Sequence, residues 1–176
     1  TDCLLQHGAK RVYGVDVGYG QTAGSLRTDD RVVLRERTNL RHLQPEGLYG
    51  EADPWPTLAV TDVSFISLRL ILPALRRLLL GAEAEALVLV KPQFEVGRDR
   101  VGRGGVVRDP AAHCDAIDMV ISAAAALDWH AQGLVASPIT GPAGNHEYVL
   151  WLGATRTKPG FDLQRLVNTT LQSAVK

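Results

Sequence analysis

The chain has 176 residues, 45% of them hydrophobic and 22% charged, the composition of one ordinary globular domain able to bury a core of its own. Basic and acidic side chains balance at 19 each, so any footprint for nucleic acid has to be local. Two distant cysteines set up neither a disulfide framework nor a metal spacing, which favours a reducing cytoplasm; no apolar run nears the ~20 residues of a membrane-spanning helix, and no signal peptide is visible.

In chain order, Thr1 to His7 reads as the end of a helix capped by Gly8. The start, Thr-Asp-Cys-Leu-Leu without a methionine, predicts that this is a piece of something longer. Arg11–Val17 is rich in strand formers and halts at Gly18-Tyr19-Gly20. Gln21–Arg27 is a candidate short helix and Val32–Arg35 a second strand, followed by a proline- and glycine-rich loop over Gln44–Thr57. Leu58–Asp62 is a third strand, and Ser67–Leu80 carries apolar residues at helical spacing up to Gly81. Ala86–Val90 is a continuous apolar run suited to a buried parallel strand. Asp109-Pro110 is an N-cap followed by proline in the first turn, opening a helix that runs to Leu127. Ala131–Val135 and His146–Leu152 are two last strands around the turn-rich Pro138–Asn145. The alternation of strands and helices predicts an α/β fold with a parallel sheet in one domain, 1–153, and a polar tail with a weak helical pattern over 154–176.

In open α/β sheets, ligands bind beyond the carboxyl ends of the strands. Four polar positions close the predicted strands: Asp16, Thr38-Asn39, Asp62 and Lys91. Each alone is ordinary, since strand ends reach solvent; together they favour a site. Asp16 suits the ribose hydroxyls of a dinucleotide or of S-adenosylmethionine. Asn39 suits an adenine edge, or a turn cap. Asp62 either serves the site or caps the next helix. Its run Asp-Val-Ser-Phe lacks the two prolines found where amino-methyltransferases act, which disfavours chemistry on an exocyclic amine.

Lysine is rarely buried without a partner, so Lys91 at the end of an apolar strand reads as a placed amine. A partly desolvated lysine has a lowered pKa, and tuning toward ~7–8 makes a workable base for a hydroxyl that must lose its proton as it attacks. Glu147, in GNHEYVLWL, points either to solvent from an edge strand or into the site.

The runs DVGYGQ, ERTN, DVSFISL, LVKPQFEVGR, GGVVRDP and SPITGPAGNHEYVLWL resemble the TlyA-type ribosomal RNA 2′-O-methyltransferases, often labelled hemolysin A, of the FtsJ-like group. The likeness spans Thr1 to Leu152. It implies a Rossmann-like S-adenosylmethionine-dependent methyltransferase fold acting on cytidine riboses of ribosomal RNA or ribosomal subunits. It also implies a Lys-Asp-Lys-Glu tetrad, whose last three members fall on Asp62, Lys91 and Glu147. Asp16, Val17, Thr38, Asn39 and Asp62 fall at cofactor positions, and no metal is implied. Arg98, Arg100, Arg103 and Arg108, on a loop with four glycines, would meet RNA phosphates, with a solvated mobile loop as the alternative. The family places an S4-like RNA-binding domain, the first tetrad lysine and a glycine-rich loop before the position of Thr1. The chain is therefore expected to lack the domain's N-terminal strand and glycine loop, to bind S-adenosylmethionine poorly and to methylate nothing by itself. Rival readings are a hemolysin or pore former, a non-catalytic RNA- or cofactor-binding module, and an NAD(P)-dependent enzyme; for the last, G-x-G-x-x-G is not found.

Overall fold

A computed structural model describes residues 1–156 and 160–173, in two compact units, Thr1–Pro56 and Thr57–Lys176. In the first unit, helix α1 (Asp2–Gln6) ends where Gly8 turns the chain at φ +90°, the cap that the sequence predicts. Strands β1 (Val12–Val15) and β2 (Val32–Arg35) pair in parallel, from Val12 opposite Val32 to Val15 opposite Arg35. The strand predicted over Arg11–Val17 is shorter at both ends. At its exit the Asp16 side chain turns back to accept the Gly18 N–H at 2.6 Å. Of the helix predicted at Gln21–Arg27 only α2 (Gly24–Arg27) forms. Tyr49, packed edge-on against Tyr13 with ring centres 4.8 Å apart and against Trp55 at 5.0 Å, anchors the loop that closes the unit.

The second unit holds β3 (Leu58–Thr61), α3 (Leu68–Leu78), β4 (Glu85–Val90), the single turn α4 (Pro92–Glu95), α5 (Pro110–Ala125), β5 (His130–Ala136), β6 (Tyr148–Gly153) and α6 (Leu163–Ser173). Its sheet order is β3-β4-β6-β5. β3 and β4 are parallel, but β6 is antiparallel to both β4 and β5, so the sheet is mixed where the sequence predicts a parallel one. The cause is local. Parallel neighbours need a crossover of about a dozen residues or more, usually a helix. The link from β5 to β6 holds turns and no helix, so the chain doubles back.

One face of this sheet carries the core. Ala86, Val88 and Val90 of β4 lie opposite Leu152, Leu150 and Tyr148 of β6, and all six are fully buried. Helix α5 packs over β4 and β5, with α3 and α6 beside it. Its Ala112, Ala116, Ile117, Val120 and Ala124 face inward with no exposure. Alanines let the helix sit close, and burial of this kind contributes about 25 cal/mol per Å² of apolar surface. Asp109 caps α5 as predicted, its carboxylate accepting the Ala111 N–H at 3.0 Å. Of the predicted tail, α6 packs on α5 and β5 through Val167, while residues 157–159 and 174–176 lie outside the described residues.

Candidate active site

The carboxyl end of β4 delivers Lys91, and the parallel end of β3 delivers Asp62. They meet: Lys91 Nζ lies 2.6 Å from Asp62 Oδ1, and 3.1 Å from the Ser64 hydroxyl. The pair is lopsided, with 12% of the lysine side chain exposed against 67% of the aspartate. Asp62 leaves the helix-capping role to Ser67, whose hydroxyl accepts the Arg69 N–H at 3.2 Å.

Glu147 reaches the same edge from the opposite direction. Because β6 is antiparallel, its first residue, Tyr148, lies opposite Val90, and Glu147 and Lys91 each stand one residue beyond that pair. The sequence predicts Glu147 just inside the last strand, with the solvated face of an edge strand as the alternative. The structure corrects both parts, since Glu147 precedes β6, and β6 is flanked by β4 and β5. Glu147 is 8% exposed, so the solvated-face alternative does not hold. Its backbone C=O accepts the Ser137 N–H at 2.8 Å. A side chain at Gly141 would place its Cβ 2.9 Å from Glu147 Oε1, so glycine there leaves room for the carboxylate.

Three features of this edge are not legible from the strand ends. Phe65 is 91% exposed, at φ +64°, a left-handed conformation that costs a bulky residue about 1–2 kcal/mol. Its ring rests against Phe94 with centres 5.2 Å apart. Glu95, 4% exposed, takes the Ser67 hydroxyl at 2.6 Å and the Leu68 N–H at 2.7 Å. Burial pushes its pKa up, while those two hydrogen bonds and the Arg69 guanidinium pull it back. This carboxylate ties the turn after Lys91 to the start of α3, and so braces the Asp62–Ile66 loop between them. A Glu one turn after the lysine was the available signal; Phe65, among Val63, Ser64 and Ile66, gave none.

The predicted cofactor residues Asp16, Val17, Thr38 and Asn39 belong to the first unit, and Asp62 to the second. The loops after β1 and β2 are laced together by Arg37 N–H to Gly18 C=O at 3.0 Å and Thr38 N–H to Asp16 C=O at 2.9 Å. Asn39 caps a turn, its Oδ1 accepting the Arg41 N–H at 3.0 Å. Beside them Tyr19 carries the Arg37 guanidinium 4.2 Å above its ring, with Arg37 itself at φ +52°. Arg27 also approaches this ring, but pairs with Glu36.

The four loop arginines divide. Arg100 is paired with Asp115 and with Asp109, the latter at 3.4 Å. Arg98, Arg103 and Arg108 are exposed and form no ion pair among the described residues. Among those residues no cluster of His, Cys, Asp and Glu is arranged to hold a metal, and no helix is long and apolar enough to cross a membrane.

The sheet is Rossmann-like, with the Lys91–Asp62 pair at the carboxyl ends of its parallel strands and Glu147 just before β6. The FtsJ-like methyltransferase family matches residues 1–154, and the chain belongs to that family. It is 53% identical over 152 residues to "Putative rRNA methyltransferase YqxC" of Bacillus subtilis, covering 86% of this chain and 53% of that protein. It is 51% identical over 152 residues to the "16S/23S rRNA (cytidine-2'-O)-methyltransferase TlyA" of Mycobacterium tuberculosis, covering 86% of this chain and 55% of that one. A solved structure, "Putative hemolysin from Streptococcus thermophilus", superposes with a TM-score of 0.90 at 38% identity, over 99% of this chain and 62% of the other. The chain thus spans about half the length of the curated relatives it matches.

Proposed function

We propose that this chain is the catalytic part of a ribosomal RNA 2′-O-methyltransferase using S-adenosylmethionine. The observation that carries the reading is the Lys91–Asp62 pair, 2.6 Å apart, on the sheet edge that Glu147 also reaches, in a chain of the FtsJ-like family. The residues fit the donor. Asp16 Oδ2 and Asn39 Nδ2 carry no hydrogen bond among the described residues and match ribose hydroxyls and an adenine edge. Val17, 71% exposed, offers an apolar face for a flat base. Thr38 completes this set on the first unit, while Asp62 belongs to the second. When bound, S-adenosylmethionine supplies an electrophilic methyl group.

The chain's own residues then have two tasks, to align a ribose 2′-hydroxyl with that methyl and to take its proton. Lys91 Nζ is the base, acting after it releases a proton through Asp62, whose exposure gives a path to solvent. Nζ would take the proton of the attacking hydroxyl, and the methyl group would be supplied by S-adenosylmethionine when that donor is bound. Ser64 fixes the amine's direction. Phe65, exposed and strained, is suited to stack on a base lifted from the RNA, as aromatics do for single strands. Arg98, Arg103 and Arg108 meet phosphates, with Arg37 on Tyr19 as a further contact. The S4-like domain of the resemblance would extend that contact in a longer protein, and the substrate implies work in the cytoplasm.

The test is tritiated methyl transfer to ribosomal subunits with mapping of the product. In the full-length protein, ribose methylation lost in Lys91→Ala, with S-adenosylmethionine affinity kept, supports the reading; activity retained in that variant refutes it. Haemolysis by the same two proteins addresses the name that one structural relative carries.

A further inference from the structure

We infer that Asn145 is a positioning residue that latches the glycine-arginine arm, Gly102–Arg108, to the turn that carries Glu147, so that the arm's guanidiniums and this carboxylate meet RNA as one body. The inference rests on the function proposed above. The arm has no strand pairing or α-helix to hold it, only the single 3-10 turn Arg103–Gly105. Its internal bonds are Gly102 N–H to Val106 C=O at 3.0 Å and Gly105 N–H to Gly102 C=O at 3.1 Å, around Gly104 and Gly105 at φ +76° and +77°. Yet Val107 is buried, and buried backbone groups must find partners.

Side chains from two other elements supply them. Asn145, 2% exposed, accepts the Val107 N–H through Oδ1 at 3.0 Å and donates from Nδ2 to the Gly105 C=O at 2.9 Å. The Val107 C=O is met by Nε2 of His113 on α5 at 2.9 Å. A carbonyl only accepts, so Nε2 carries the hydrogen. Nδ1 is then bare and accepts the Tyr148 hydroxyl at 3.0 Å. Both fastenings end beside Glu147, at Asn145 two positions before it and Tyr148 one after. The Asn145 backbone C=O also accepts the Gly141 N–H at 2.9 Å, closing the turn whose glycine leaves room for Glu147. The exposed Arg103 and Arg108 therefore stand on a segment held in register with the carboxylate, which replaces the mobile-loop reading.

The experiment compares the full-length protein with Asn145→Ala and with the milder Asn145→Asp, which keeps the Val107 acceptor and sets an oxygen against Gly105. Protection of the Val107 amide against hydrogen exchange should fall at least ~10-fold in Asn145→Ala, because its buried partner is gone. The log–log slope of ribosomal RNA affinity against salt should shrink by about 0.7–0.9 for each phosphate that the arm no longer meets. The kcat should fall ~10-fold through misplacement of Glu147, with S-adenosylmethionine affinity unchanged. Arg103→Gln with Arg108→Gln should lower the salt slope in the parent and not further in Asn145→Ala, the non-additivity of groups that act together. A lowered melting temperature with Val107 protection, salt slope and kcat all retained, in either Asn145 variant, would overturn the latch. If the parent neither binds nor methylates RNA, the functional reading fails instead, and Val107 protection alone decides whether the arm is latched.

Discussion

Replacing Lys91 by Met separates catalysis from folding, because the two depend on different parts of the side chain. The lysine stem is mostly covered, with only 12% of the side chain exposed, and Met fills nearly the same volume. What disappears is Nζ, with its Asp62 pair and Ser64 hydrogen bond. Asp62 is 67% exposed, so water resolvates it, and a pair of that kind is worth about 0–1 kcal/mol. The Ser64 bond adds about 0.5–1.5 kcal/mol, offset by removal of an ammonium from a largely covered position. Stability should therefore move by less than about 1 kcal/mol, read as a small shift of the denaturant midpoint at constant slope. Removing a general base costs ~10²–10⁴ in rate, or about 3–5 kcal/mol of barrier. Initial rates of labelled methyl transfer at saturating RNA and donor, beside equilibrium unfolding of the same preparations, make the comparison. A rate within about threefold of the parent refutes the base assignment. So does a rate loss matched by an equal loss of folding free energy, which would make Lys91 structural.

Further outcomes are expected elsewhere on this edge. Phe65→Gly should hold or raise stability, since it relieves a left-handed residue, while weakening single-stranded RNA binding by about 1–3 kcal/mol; filter binding beside thermal unfolding reads both. Glu95→Ala should destabilise by about 3 kcal/mol or more, because the Ser67 hydroxyl and Leu68 N–H lose a buried acceptor, and Glu95→Gln by less, as urea titrations will measure. Burial holds the His113 pKa below its usual value, against the Val107 carbonyl and Asp109, with His146 adding to the fall. The unfolded chain therefore binds a proton first, and stability is fully present above about pH 6.5 and lost below it, by up to about 1.4 kcal/mol per pH unit until the folded value is reached. His113→Gln should flatten that slope in unfolding series from pH 8 to 5; an unchanged slope excludes His113 as its source.

The parts of this protein that follow local rules could be read from its residues. Asp109-Pro110 starts a helix because capping is a short-range interaction, and the apolar run before Lys91 is a buried strand because its length and uniformity fit little else. Lys91 and Asp62 stood out because ionised groups at the ends of apolar strands need a reason. Glu147 needed the direction of β6, which no periodicity encodes. Glu95 lies between Phe94 and Val96 in sequence, and nothing there announces the Ser67 and Leu68 groups at the start of α3 that it holds. Phe65 resembles any core phenylalanine until a left-handed turn throws it outward. In α6 the inward face rests on Val167, too thin a stripe to announce the helix.

The reversal of β6 has a consequence for how such a site can vary. Along parallel strands, the groups at the working edge are fixed by strands whose length and register the core dictates. Glu147 instead hangs on the return of a hairpin whose loop, Ser137–Gly144, is largely free of the core. With Tyr148 held opposite Val90, deletion of Glu147 would bring His146 to the position just before β6. Insertions nearer Ile139 would lengthen an exposed rim and leave that register alone. The exposed rim can thus change in length while the register beside Lys91 stays locked.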